Sequence, residues 1–451
     1  MLGLGIVLSL LKGLDYEEAI ILAVMLLIFL PCHREFYRKA SVISERLTPT
    51  WAIMITAVLI SAAWLGIFSN KHLEYSGQLW WRFALNADAP RFMRATTGAA
   101  AMVLLYGVVR LLSPRTMEPL PTQPETVQAV EDIVRRSPKT YAYLALLGDK
   151  SFLLSESHSC FIMYGIEGRS WIAMGDPVGP RQEWESLLWR YRELCDRLDG
   201  WPVFYQIETA NLNLYLDLGM TFLKLGEEGR VHLKNFSLEG SSRKGLRHAY
   251  NKTVRENCTF SVAPPDQVPA LLDELKRISD AWLSGKNTRE KGFSLGFFGP
   301  EYIKKLPVAI VRQGTNIIAF ANIWPGAEHD ELSIDLMRHL PSAPSGIMDY
   351  LFVELMLWGK QQGYDWFSLG MAPMSGLEDR TLAPLWHKVG TFVFRHGEHF
   401  YNFQGLRQYK EKFDPVWQPK YLACPRGLML PRILANLATL ISGGMKGVVA
   451  K

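Results

Sequence analysis

Apolar residues are spread unevenly along the chain, and the first quarter holds four runs of them, at 1–11, 19–31, 51–68 and 97–112. Spanning a bilayer takes ~20 predominantly apolar helical residues, with ~17 as the lower end. The third run reaches that length and the fourth nearly does; the first two are short. The first run starts at Met1 without a polar flank and shows neither the basic n-region nor the small-residue cleavage site of a signal peptide. It reads as a helix entered partway, as if a longer membrane domain had been shortened. Buried helices of a soluble bundle are the competing reading of runs one and two. The basic loop at 33–46, with Arg34, Arg38, Lys39 and Arg46, reads as cytoplasmic. Runs three and four then cross outward and back, which puts everything from Ser113 onward in the cytoplasm. Lys71, Arg82, Arg91 and Arg94 fit that order less well, while the Trp80-Trp81 pair suits a membrane interface.

A proline-rich stretch at 113–124 reads as a linker. Beyond it the pattern alternates between strands and helices. A hairpin is expected over 161–174, turning at Glu167-Gly168-Arg169, then a helix over 183–198 and a strand over 203–207. A second series follows, with a hairpin of 309–311 and 317–324, a strand over 331–337, a helix over 348–362 and a strand over 366–369. Asp199-Gly200-Trp201 after the first helix matches Gln362-Gly363-Tyr364 after the second. The two series therefore read as a duplication with a period of ~160 residues, too long for a solenoid. Between them lies a basic helix bearing Arg243, Lys244, Arg247, Lys252 and Arg255. The expected organisation is membrane helices at 1–112, a linker at 113–124, α/β units at 125–240 and 241–425, and a C-terminal helix or tail at 426–451.

Composition narrows the chemistry. With 451 residues, 48% hydrophobic and 12% aromatic, the chain is not a disordered or low-complexity protein. Its five cysteines stand singly at 32, 160, 195, 258 and 424, with neither metal spacing nor a disulfide framework, which agrees with a reducing cytoplasm. There is no Walker loop, no GxGxxG after a strand, no HExxH and no GxSxG. Hydride transfer, nucleotide hydrolysis and metal-assisted hydrolysis all lose ground, and no metal site is expected.

What remains is charge set among aromatic strands. Asp335 and Arg338 end a strand, and the small-residue loop Pro341-Ser342-Ala343-Pro344-Ser345-Gly346 leads from it into a helix. Free N–H groups at such a helix start suit phosphate, and Arg338 would add a bidentate donor; a structural Asp–Arg pair is the alternative. The run at 395–413 is dense in Glu398, Tyr401, Arg407, Lys410 and Lys412. Its interleaved aromatics would bury it as a strand, and a charge held among aromatics is either paired or used. Arg407, Lys410 and Lys412 could together hold an anion.

Several stretches in order resemble the phosphatidylglycerol aminoacyltransferases, the multiple peptide resistance factor family. They are Gly175-Asp176-Pro177-Val178-Gly179-Pro180, Lys224-Leu225-Gly226-Glu227-Glu228, Glu290-Lys291-Gly292-Phe293-Ser294-Leu295-Gly296, Asp335 to Arg338, Gly370-Met371-Ala372-Pro373, and Phe400 to Phe413. The resemblance implies tandem GNAT-type folds, at 125–240 and 241–425, behind a short bundle of transmembrane helices. It also implies a multi-pass protein of the bacterial inner membrane with a cytoplasmic catalytic domain. The implied reaction moves a lysyl or alanyl group from aminoacyl-tRNA, a co-substrate, to the glycerol head group of phosphatidylglycerol, without a cofactor. The Arg338 to Gly346 segment is longer than a CoA-binding GNAT loop, is broken by proline and lacks its second glycine. Full-length members carry a longer membrane domain whose upstream part flips the product lipid, which leaves flipping by this chain open.

By the same resemblance, Lys410 would stabilise the oxyanion or the departing ribose oxygen. Asp335 would be the general base or the α-ammonium anchor, with Glu398 a second ammonium partner and Tyr401 a hydrogen-bond donor. Arg338 and Arg407 would hold the lipid phosphate, helped by Ser345, Gly346 and Lys412. Arg243, Lys244, Arg247, Lys252 and Arg255 would meet the tRNA backbone. A lysyl pocket would need a distal carboxylate, for which Glu378, Asp379 and Glu398 are available. A Fem-like transferase acting on a lipid-linked peptidoglycan precursor, or a non-catalytic RNA- or lipid-binding module, are the other readings; a homo-oligomer stays open.

Overall fold

The computed structural model describes residues 20, 21, 23–26, 123–286, 290–377, 403–427 and 429–443. Apart from the few residues at 20–26, the four apolar runs lie outside the described residues, as does the linker up to 122. Among the described residues no helix is long and apolar enough to cross a membrane. The chain divides into two compact units, Met1–Met117 with Arg197–Asp199, and Glu118–Asp196 with Gly200–Lys451. The second holds nearly all that follows.

Eleven strands form one sheet: β1 (Ser151–Leu154), β2 (Phe161–Glu167), β3 (Ser170–Met174), β4 (Trp201–Glu208), β5 (Thr221–His232), β6 (Cys258–Ala263), β7 (Val308–Gln313), β8 (Asn316–Pro325), β9 (Glu331–His339), β10 (Trp366–Pro373) and β11 (Val416–Cys424). Their spatial order is β1-β2-β3-β4-β11-β5-β10-β9-β8-β7-β6. Most pairs are antiparallel, but β3 runs parallel to β4 and β9 parallel to β10. Each half thus has antiparallel strands closing on one parallel pair, the arrangement expected of a GNAT-type fold.

The halves also trade their last strands. β5, which follows β4 in the chain, pairs with β10 of the second half, while β11 pairs with β4 of the first. β5 and β11 pair with each other at the centre of the sheet.

Among the described residues nine helices accompany the sheet: α1 (Pro124–Arg136), α2 (Trp184–Arg197), α3 (Leu212–Asp217), α4 (Lys244–Arg255), α5 (Leu272–Lys286), α6 (Pro300–Ile303), α7 (Ile347–Gln361), α8 (Phe403–Glu411) and α9 (Leu430–Ile441). The crossover helices α2 and α7 are required because parallel neighbours cannot be joined by a tight turn. α1 shows how local signals set an element. Pro124 occupies its first turn, Glu125 sits at the positive end, Arg135 and Arg136 sit at the negative end, and Val130, Ile133 and Val134 make its buried stripe.

Two cores sandwich the second half. In β7 the alternation is complete, with Val308 and Ile310 in one core and Ala309 and Val311 in the other. The first core takes in α1, α5 and α9 and continues under both halves; the second is built around α4 and α7. The expected hairpins, the helices near 183–198 and 348–362, and the basic helix all form. The run at 395–413 is different: its described part, α8, is helical, and the rest lies outside the described residues.

Candidate active site

The ladder between β9 and β10 stops at Ser333 and Ser368. Beyond it β10 shifts register against β5 between Ser368 and Met371, and Gly370 turns through φ 75°. That left-handed step comes readily only to glycine. It leaves two successive carbonyls, of Gly370 and Met371, each accepting a 2.9 Å hydrogen bond from Lys410 Nζ. Lys410, near the end of α8, is buried at 7% exposure. Burial pushes its ammonium down to about 8, with the Glu228 carboxylate pulling the other way.

On the β9 side of the same ends stands Asp335. The Gly296 amide donates to one carboxylate oxygen (2.8 Å) and the Tyr302 hydroxyl to the other (2.8 Å). Tyr302 Oη in turn accepts from Trp324 Nε1 (2.7 Å) and Asn322 Nδ2 (3.3 Å). Burial raises the Asp335 carboxyl above its ordinary range, and these two donors only partly offset it. The β8–β9 register shift between Ala321 and Ile323 leaves the Leu336 amide out of the ladder, and Asn322 Oδ1 accepts it at 2.7 Å.

Arg338 lies near Asp335 but is already engaged. Its Nη2 meets Glu290 at 2.9 Å and its guanidinium lies 4.1 Å from the Trp282 ring centroid. Its Nε is buried with no hydrogen-bond partner among the described residues. Sequence reasoning gave Lys150 no role, yet its side chain is fully buried, 2.5 Å from Asp149. The other Asp149 oxygen accepts the Phe293 amide at 2.7 Å. The 290–296 segment is thereby pinned from both halves, by Asp149 at Phe293 and by Asp335 at Gly296.

A layer of paired charges, also unforeseen, runs through the sheet centre. Lys420 on β11 meets Glu228 at 3.0 Å and Glu208 at 3.6 Å, and Lys139 meets Glu208 at 2.8 Å. Arg230 meets Glu331 at 2.7 Å. Burial opposes ionisation of Glu208, yet Lys420 and Lys139 hold it down at about 2. The Ser368 hydroxyl donates to Glu228 at 2.7 Å.

The remaining expected site residues are scattered. Arg407 pairs with Glu227 (2.6 Å) and Glu411 (3.2 Å) and lies over Trp417. Lys412 pairs with Asp349 at 3.1 Å. Ser345 Oγ accepts from Lys252 at 2.5 Å, and Gly346, at φ 92°, precedes α7 with Ala249 packed against it. Arg243 donates to the Lys412 carbonyl and Arg247 to those of Leu238 and Gly240, so both are tied inward. Lys244, Lys252 and Arg255 are exposed along α4. Glu398 and Tyr401, like Glu378 and Asp379, lie outside the described residues. Among the described residues no cluster of three or more His, Cys, Asp or Glu side chains could hold a metal.

The first half repeats the geometry with other chemistry. Six residues before the traded strand, α3 carries Tyr215 where α8 carries Lys410. Tyr215 is fully buried and donates to Asp176 at 2.7 Å, filling the first half's counterpart site.

One sheet of two similar halves, with a buried lysine and a half-buried aspartate at the ends of one parallel pair, defines an α/β fold of the GNAT-like acyltransferase class. Residues 131–424 match the family described as phosphatidylglycerol lysyltransferase, C-terminal, and the chain belongs to that family. It is 32% identical over 454 residues to a phosphatidylglycerol lysyltransferase of Bacillus subtilis, covering 99% of this chain. The chain spans 52% of that relative's length. Among solved structures, a C-terminal domain (DUF2156) assigned to a lysylphosphatidylglycerol synthetase from Agrobacterium fabrum is 44% identical, with a TM-score of 0.65, over 72% of this chain and 99% of its own. L-PGS from Bacillus licheniformis is 37% identical, also with a TM-score of 0.65, over 72% of this chain and 99% of its own.

Proposed function

We propose that this protein transfers a lysyl or alanyl group from aminoacyl-tRNA to the glycerol head group of phosphatidylglycerol. The product carries added positive charge, which lowers the negative charge of the membrane and opposes cationic antimicrobial peptides. The observation that carries the reading is Lys410: a buried ammonium aimed by two carbonyls, at the splayed ends of the one parallel pair that also presents Asp335. Family membership supports it.

The reaction exchanges one ester for another of similar energy, so rate comes from positioning, proton transfer and charge stabilisation. A lipid hydroxyl attacks the aminoacyl carbonyl, the carbonyl oxygen gains negative charge, and the ribose oxygen leaves with a proton. An ammonium has three N–H donors. Lys410 spends two on carbonyls, and the third is the one for the oxyanion or the leaving oxygen. Asp335 keeps acceptor capacity beyond its two donors and has a raised proton affinity, which suits taking the hydroxyl proton; anchoring the α-ammonium is its other role. Arg338, with an unused Nε, faces the lipid phosphate, and Lys244, Lys252 and Arg255 meet the tRNA backbone. No cofactor enters, since the donor ester is already activated. The membrane-spanning arrangement of 1–112 is read from the sequence pattern, and the inner-membrane location from the family resemblance.

The test uses the full chain reconstituted in phosphatidylglycerol vesicles with labelled lysyl- and alanyl-tRNA, and parallel vesicles carrying a lipid-linked peptidoglycan precursor. Labelled aminoacyl-phosphatidylglycerol is expected. Label on the precursor alone, or on no lipid, refutes the proposal.

A further inference from the structure

We propose that Ser368, oriented by Glu228, is a positioning residue that sets the direction of the Lys410 ammonium. This rests on Lys410 having the role given above. The chain of contacts is continuous. Ser368 is the last residue of β10 on the parallel ladder, and its carbonyl accepts the Ser333 hydroxyl at 3.0 Å. Its own hydroxyl donates to Glu228 Oε1 at 2.7 Å, and its Oγ accepts the Gly370 amide at 3.1 Å.

The direction of these bonds is fixed by charge. Lys420 holds Glu228 ionised from 3.0 Å away, and an ionised carboxylate only accepts. The Ser368 proton therefore points to Glu228, and an oxygen lone pair is left for Gly370. A peptide unit is planar. Fixing the Gly370 amide therefore fixes the plane it shares with the Leu369 carbonyl, the entry to the left-handed step at Gly370, and the carbonyls of Gly370 and Met371 that follow this step are what grip Lys410. Ser368 is only 2% exposed, so it touches no substrate. Without its hydroxyl the Gly370 amide is unsatisfied, and the bulge is free to relax toward regular pairing with β5. Both carbonyls would then swing away from Lys410. A misplacement of about 1 Å at a catalytic group can cost about a hundredfold in rate.

The experiment compares Ser368→Ala, and the shape-matched pair Ser368→Thr and Ser368→Val, in the reconstituted full chain. Expected for Ser368→Ala is a tenfold to hundredfold lower kcat per folded molecule, with KM for both substrates within about twofold, and faster amide exchange at Gly370. Thr, which keeps the hydroxyl, is expected to be at least tenfold more active than Val. Equal activity of Thr and Val, or a Ser368→Ala kcat within twofold of wild type, overturns the inference when Lys410→Ala is at least a hundredfold down. If Lys410→Ala is itself within threefold of wild type, the inference falls with the Lys410 assignment, and that variant alone identifies the failure.

Discussion

Replacing Lys410 by Met is the most informative single perturbation, because it separates chemistry from folding. Methionine keeps the length and fills the site but carries no charge. In the folded protein burial takes the ammonium from its ordinary 10.5 down to about 8. At ~1.4 kcal/mol per tenfold in proton affinity, that difference costs folding about 3 kcal/mol while the group is charged. Below pH 8 both folded and unfolded chains are protonated and the full cost applies. Between pH 8 and 10.5 the unfolded chain binds more protons than the folded one, so the cost fades as pH rises. Methionine avoids the cost at every pH but leaves both the Gly370 and Met371 carbonyls without their donor, roughly 1–3 kcal/mol for each orphaned buried group and so about 3 kcal/mol for the two toward the lower end. At pH 7 the two effects nearly cancel, and the melting temperatures of variant and wild type should lie close together. By pH 10.5 the wild type should have gained about 3 kcal/mol on the variant. Activity behaves differently: loss of one oxyanion donor costs ~2.7–4 kcal/mol, or about 10²–10³ in kcat. Wild-type kcat should also fall above pH 8 as the ammonium deprotonates. Thermal melts of the reconstituted chain across pH, paired with single-turnover transfer rates, check all of this. A stability difference that stays flat from pH 7 to 10.5, together with kcat within threefold of wild type, would refute the reasoning.

Gly296→Ala would drive a methyl group into the Asp335 carboxylate; kcat should drop more than tenfold, and an unchanged rate would detach the 290–296 segment from the site. Charge reversal of Lys244, Lys252 and Arg255 should raise the KM for aminoacyl-tRNA and flatten its log-affinity slope against salt by up to ~0.9 per phosphate contact removed. Arg247→Glu should instead lower the melting temperature, since Arg247 satisfies the Leu238 and Gly240 carbonyls; a salt slope that moves only with Arg247 would reverse this division. A fragment ending at residue 240 should be insoluble when expressed alone, because β4 loses β11 and β5 loses both of its neighbours, β10 and β11; a soluble, cooperatively melting fragment would contradict that.

Apart from the edge strands β1 and β6, which were not anticipated, the strands on either side of the sheet centre were legible because they are largely buried or alternate cleanly, as in β7 and β8. The centre was not. β5 carries Lys224, Glu227, Glu228 and Arg230, and β11 carries Lys420, so neither shows an apolar pattern. Their charges are satisfied by partners far away in sequence, such as Glu208 with Lys420, and no local window contains that pairing. The aromatic density of 395–413 suggested a strand, whereas Arg407 and Glu411 at i,i+4, and Tyr409 with Phe413, mark the helical spacing that α8 adopts. Asp335 and Lys410 stood out as charges set among aromatic residues, and only their roles came from resemblance; Asp335 lies on β9 just past its ladder with β10, and Lys410 reaches the β10 carbonyls from α8. Ser368 and Lys150 were missed because a serine in a strand and a lysine after an aspartate have no distinctive spacing. Glu228 stood within a stretch that resembles the family, but its contact with Ser368 exists only across the β5–β10 pairing.

The traded strands place a demand on synthesis. The edge of β4 that leaves the ribosome at residue 208 meets its neighbour β11 only when residue 416 follows, roughly 200 residues and about 10–40 s later. β5 likewise waits for β10. Through that interval the nascent first half carries unpaired strand edges and a row of buried-to-be carboxylates without their lysines. The sheet can close only with β11, so whatever attends the nascent chain must shield a half-built sheet until translation is almost finished.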